Sequence, residues 1–121
     1  MTLSCTLVMT FFKFQNELKL YHWRTHDYSR HKASDKLQDK MLDLIDMFIE
    51  AYMGEFGRVS VPRKDFHIRI FTDKTAPKLL QEMIHFLTRL DRPLKSKPSL
   101  LNIRDEMVAT IQRTLYLFTL D

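Results

Sequence analysis

The sequence predicts an all-α protein: an antiparallel four-helix bundle with a long crossover between helices 2 and 3. Three observations carry that reading. Glycine is scarce, with only Gly54 and Gly57 in 121 residues. Four segments repeat apolar residues at the helical period. The links between those segments run short, long, short. The length suggests one domain spanning residues 1–121.

The first predicted helix runs from about Thr2 to Arg24, with Leu7, Phe11, Phe14, Leu18 and Tyr21 on one stripe. The second runs from about Ser29 to Met53, where Gly54 and Gly57 stop it; its stripe is Leu37, Met41, Leu44, Phe48 and Tyr52. The third runs from about Ala76 to Asp91, with Thr75 as the cap and Pro77 in the first turn. Its stripe is Leu79, Leu80, Met83, Leu87 and Leu90. The fourth runs from about Leu100 to Leu120 after a Ser99 cap, with Leu101, Val108, Ile111, Leu115 and Phe118 facing in. Pro62, Pro93 and Pro98 fall between these segments.

Only a few residues around His26 separate the first two helices, and a short link joins the last two. Such links make antiparallel neighbours. The segment from Glu55 to Thr75 is long for a compact domain. At about 3.3 Å per residue it can travel the length of helix 2 and start helix 3 parallel to it. That is the ferritin-like topology. "FHIRIF", Phe66 to Phe71, alternates like a strand, but an extended crossover with alternate side chains packed inward fits the helical context better.

Composition narrows the function. Hydrophobic residues make up 45% and charged residues 28%, enough for an ordinary core. No apolar run approaches the ~20 residues of a membrane span. "MTLSCTLVMTFFKF" lacks a basic leading region and a small-residue cleavage site, so it reads as part of the fold. A single Cys5 rules out an intrachain disulfide framework and fits a reducing, cytoplasmic compartment. The net charge is +4, and its densest cluster is Arg89, Arg92, Lys95 and Lys97. With no basic tail and no Gly-rich phosphate loop, DNA binding is expected to be weak at most.

The acids of helix 2 are its unusual feature. On a helical wheel at about 100° per residue, its core stripe centres near 260° when His31 is at zero. His31, Asp35, Asp39, Asp46 and Glu50 then span roughly 0° to 100°, beside the core stripe. A metal site in the centre of the bundle is therefore not expected. A site on the flank is, where a second subunit docks. Helix 1 carries Met9, Phe12, Leu20 and Trp23 away from its own core stripe, which also predicts an oligomer. The competing reading is a solvated face of i,i+3 pairs such as Lys36–Asp39 and Lys40–Asp43. Histidine with carboxylates suits iron, zinc or manganese. Glu82 and His85 have the spacing of an ordinary di-iron bundle, but the wheel points His85 at solvent.

His22-Trp23 followed by His31, Asp35, Asp46 and Glu50 resembles the signature of Dps-type mini-ferritins. The resemblance implies a dodecamer, or a dimer at least, with iron sites at two-fold interfaces. His22, His31 and Asp35 would come from one subunit, and Asp46 and Glu50 from its mate. There Fe(II) is oxidised, typically by hydrogen peroxide, and Fe(III) is sequestered. Trp23 would take up oxidising equivalents or anchor the interface. The loop from His22 to His31 is shorter than the usual mini-ferritin loop and lacks its glycine, so His26 is an alternative to His22. The short chain resembles the small ferritin-like proteins of large DNA viruses and phages more than a bacterial Dps. That likeness implies an alternative role as a non-catalytic structural or virion assembly protein that has lost iron chemistry.

Overall fold

A computed structural model describes residues 2–61 and 63–120, so Pro62 lies outside the described residues. Those residues form four helices and no strand: α1 (Leu3–Arg24), α2 (Tyr28–Phe56), α3 (Ala76–Thr88) and α4 (Pro98–Leu117). A 3-10 turn, Arg89–Asp91, extends α3. Thr2 caps α1 by accepting from Cys5 N–H, and Asp27 caps α2 by accepting from Arg30 N–H. Each side-chain oxygen satisfies one amide that the first helical turn leaves free.

Four ends differ from the sequence reading, one being that α4 stops at Leu117, short of Leu120. Gly54 lies inside α2, and Gly57 alone ends the helix, with φ at 88°. Helical hydrogen bonding to Met53 persists until a residue without Cβ turns the chain into the left-handed region. Thr75 makes no side-chain cap; its hydroxyl instead accepts from Thr72 N–H at 2.9 Å. Ser99 is already helical, because Pro98 takes the first position of α4 and Lys97 precedes it.

α1 packs on α2 and α3, and α4 packs on the same two helices. Hydrogen bonds give the directions. At one end, Arg30 at the start of α2 donates to the carbonyls of Asp73, just before α3, and of Phe118, just after α4. Tyr21 near the end of α1 donates to Asp73 at 2.8 Å. At the other end, Lys97 before α4 binds Glu55 near the end of α2 at 2.9 Å. So α2 and α3 start at the same end and run parallel, while α1 and α4 run against them. The segment after Gly57 crosses the full length between. Ser60 N–H reaches Ser4 near the start of α1, Arg69 reaches Glu17, and Asp73 reaches Tyr21 and Thr25.

The stripes expected for the first three helices are buried, and one hydrophobic cluster joins them. The stripe of α4 is rotated. Leu100, Arg104, Met107, Ile111, Thr114 and Phe118 face in, whereas Leu101, Val108 and Leu115 are only partly buried. Two polar residues sit on the true stripe, so apolar periodicity points to the wrong face. Arg104 is tolerated there because its guanidinium donates to Leu87 O and pairs with Asp91 and Asp105. In the crossover, Phe71 is buried and Arg69 turns inward, while Ile70 stays 62% exposed.

Candidate metal centre

α1 ends at Arg24 and α2 begins at Tyr28, so the tight turn lays the last turn of one helix beside the first turn of the next. This places His22 against His31. Their rings stack with centroids 4.0 Å apart and 18° between planes. The Nδ1 of His22 lies 2.8 Å from the His31 carbonyl, and the Nδ1 of His31 lies 2.9 Å from the His22 carbonyl. A carbonyl can only accept, so both Nδ1 atoms carry a proton. In the neutral rings both Nε2 atoms are then left as lone-pair donors. Ser34, fully buried one turn on, braces the pair through His22 Nδ1 and His31 O, each at 3.2 Å. Asp35 lies next to the pair, with a carboxylate oxygen 3.8 Å from His22 Nε2.

The shorter turn therefore does not keep His22 from His31. His26 lies exposed in the turn, where its backbone N–H donates to Asp73. The tip is fixed by Asp73, which also accepts from the hydroxyls of Thr25 and Tyr21. The Thr25 hydroxyl, above all, holds the Asp73 carboxyl below its usual range.

Asp46 and Glu50 are exposed on α2, as are Asp35 and Asp39. The helix is continuous, so His31 and Asp46 are separated by a rise of about 22 Å. One chain cannot bring them together. Among the described residues, no group of three histidine, cysteine or acidic side chains is arranged to hold a metal by itself. The expected i,i+3 pairs of the face are absent too. None of the ion pairs among the described residues involves Lys32, Lys36 or Lys40. Trp23 is 67% exposed next to His22, and Phe12 is 54% exposed further along the same helix.

Glu17 was not among the residues singled out in the sequence. It is 1% exposed, and its carboxylate receives the backbone N–H, Nε and one terminal nitrogen of Arg69, at 2.9 to 3.0 Å. The same guanidinium binds Glu82 at 2.9 Å. The hydrogen bond to Glu17, then that to Glu82, raises the Arg69 pKa, and Arg69 in turn lowers that of Glu82. A signal existed: Glu17 is an acid set among Phe14, Leu18 and Tyr21 on the apolar stripe of α1. Glu82 thus faces an arginine, and His85 is exposed, as the wheel expects.

The chain resembles a protein of Enterobacteria phage T4 described as an uncharacterized 14.6 kDa protein in the mobD-ri intergenic region. The two are 27% identical over 100 residues, covering 83% of this chain and 75% of the phage protein. No solved structure matches. The model of a family of unknown function, DUF5856, matches residues 22–118, from the first histidine of the stacked pair to the end of α4. By that match over most of its length, the chain belongs to the DUF5856 family.

Proposed function

We infer that this protein is a ferritin-like, Dps-type iron-binding protein whose oxidation site is closed by two copies of the chain. The observation that carries the reading is the reciprocal bonding of His22 and His31. Imidazoles that bind metals usually donate their other ring N–H to a carbonyl or carboxylate, which fixes tautomer and orientation. Here both rings are so fixed, on each other's backbone. The Nε2 of His22, which lies 3.8 Å from the Asp35 carboxylate, would with the Nε2 of His31 offer hard-to-borderline donors of the kind that suit iron. It is half a site. An antiparallel α2 from a second copy would add Asp46 and Glu50, and the exposed Phe12 and Trp23 supply apolar area for that contact.

Iron is the substrate in this scheme. Two ferrous ions each give one electron to peroxide, whose O–O bond breaks. The ferric ions take up oxygen from the reduced peroxide and from water, releasing protons as the oxyhydroxide forms. The chain's carboxylates and imidazole nitrogens would hold the cations. The matching setting is a reducing compartment such as the cytoplasm.

A second reading rests on the same geometry. The reciprocal hydrogen bonds also clasp the end of α1 to the start of α2, and His22 is only 8% exposed. A clasp needs no metal. With the similarity to a phage protein, this favours a non-catalytic ferritin-like assembly or virion protein.

The two separate in one experiment. Purified protein is mixed with ferrous iron and peroxide, and ferric absorbance and iron solubility are followed. The iron reading expects faster oxidation and soluble ferric product, both lost in Asp35→Ala and Glu50→Ala with folding intact. Rates equal to a protein-free control, with no iron bound at equilibrium, leave the assembly role.

A further inference from the structure

A groove of about 330 Å³ opens between α2 and α4. Its apolar lining is Ala33 and Leu37 from α2 with Ala109 and Leu117 from α4. The two alanines leave the space that larger side chains would fill. The volume is at the lower end of the range for small-molecule sites, about 300–1,000 Å³.

Among the described residues, the charged side chains that line this groove are all cations, and Asp39 and Asp43 lie one helical turn away from Lys36 and Lys40. Lys36 and Lys40 line it from α2 and Arg113 lines it from α4, all three exposed. Among the described residues no carboxylate lines it. None of the three belongs to an ion pair among the described residues. Lys36 and Lys40 are spaced i,i+4, where like charges repel, and Arg113 adds a third from the opposite wall. The cleft between α1 and α3 offers a contrast: Glu17 and Glu82 line it along with its cations, and Arg69 satisfies both.

We propose that the α2–α4 groove binds a small organic anion with an apolar body, of the medium-chain carboxylate class. The anionic head sits among Lys36, Lys40 and Arg113, and the tail covers Ala33 and Ala109. An inorganic anion would satisfy the charge and leave the apolar floor wet. A neutral amphiphile would cover the floor and leave three cations facing one another. The proposal is independent of the iron chemistry.

Decanoate, titrated below its micelle concentration, is the probe, read by calorimetry and by NMR of alanine methyl groups. Saturable binding that shifts the Ala33 and Ala109 methyls is expected, weakening as salt screens the charges. The Lys36→Gln/Lys40→Gln/Arg113→Gln variant should bind at least about tenfold more weakly. Ala109→Leu should abolish binding by filling the floor; if it fails to fold by circular dichroism, the charge variant decides, since it alters only exposed side chains. Equal affinity for decanol overturns the proposal, as does undiminished decanoate binding by the charge variant. Inorganic phosphate moving the same methyls with decanoate's affinity overturns it as well.

Discussion

Arg69 closes on Glu17 with its backbone amide and two guanidinium nitrogens, although 52 residues separate the two in the chain. The carboxylate is almost completely buried, and these donors stand in for the water it has lost. The contact also fastens the crossover to α1 at mid-length.

Removing one partner should therefore cost more than removing both. Arg69→Met leaves a buried carboxylate unpaired and should destabilise by about 3 kcal/mol. Adding Glu17→Leu to that variant should recover most of the loss. Urea midpoints of the two singles and the double measure this. A double variant no more stable than either single would mean that the pair is not coupled.

Acid should weaken the fold from below about pH 4. Hydroxyl donors, Thr25 first, lower Asp73; Arg69 lowers Glu82; Ser29 lowers Asp27. A carboxyl whose folded pKa is depressed stabilises the fold fully above its unfolded pKa. That contribution is lost as pH falls through the folded value. Thermal midpoints should stay level from neutral pH to the unfolded carboxylate range, then drop. Asp73→Asn should lower the plateau and flatten the drop. An unchanged slope in that variant would remove Asp73 from the account.

The two glycines should respond in opposite directions. Gly54 is inside a helix and a Cβ there meets nothing within 4 Å, so Gly54→Ala should stabilise by about 0.5–1 kcal/mol. Gly57 has equally open space but a φ of 88°. Gly57→Ala should destabilise by about 1 kcal/mol or more, through backbone strain alone. Both are read from denaturant midpoints.

Under the iron reading, two dead variants should rescue one another. Asp35→Ala and Glu50→Ala would each spoil every site of a homodimer. A mixed dimer with one lesion per chain would place both lesions in one site and leave the other whole. Oxidation should reappear when the two are mixed under conditions that exchange subunits. Exchange without recovered oxidation would falsify the shared site.

DNA should be held weakly. The formal charge is +4, and the basic residues are spread over the chain, with Lys97 taken up by Glu55. Gel-shift binding should vanish at moderate salt. Tight binding that survives such salt would point to a basic surface unlike the one described.

Helix number, three of the four core stripes and the parallel course of α3 could be read from apolar spacing and link length. These features are set by many residues at once, so no single polar substitution hides them. The face of α4 could not be read in the same way. Arg104 and Thr114 occupy inward positions, and their partners come from elements distant in the chain or from helical backbone. The candidate site was legible in part. Spacing singled out His22, His31 and Asp35, but their reciprocal hydrogen bonds depend on how tightly the turn closes. Glu17 is marked in the sequence only as an acid on the apolar stripe of α1, and its partner Arg69 is not, because only the path of the crossover brings them together.

That path divides the molecule. α1 with α2, and α3 with α4, are two hairpins closed by nearby residues, and one strap of chain connects them. Arg63 and Lys64 lie exposed on the strap, away from the Arg69 clamp. A protease that cut between them would sever the connection without removing a helix. The two pieces would each keep an apolar inner face and one partner of each ion pair that spans the cut, Glu17–Arg69 and Glu55–Lys97. The fragment carrying Glu17 would still meet the one carrying Arg69, so the nicked protein should elute from gel filtration as one species rather than as two separate hairpins.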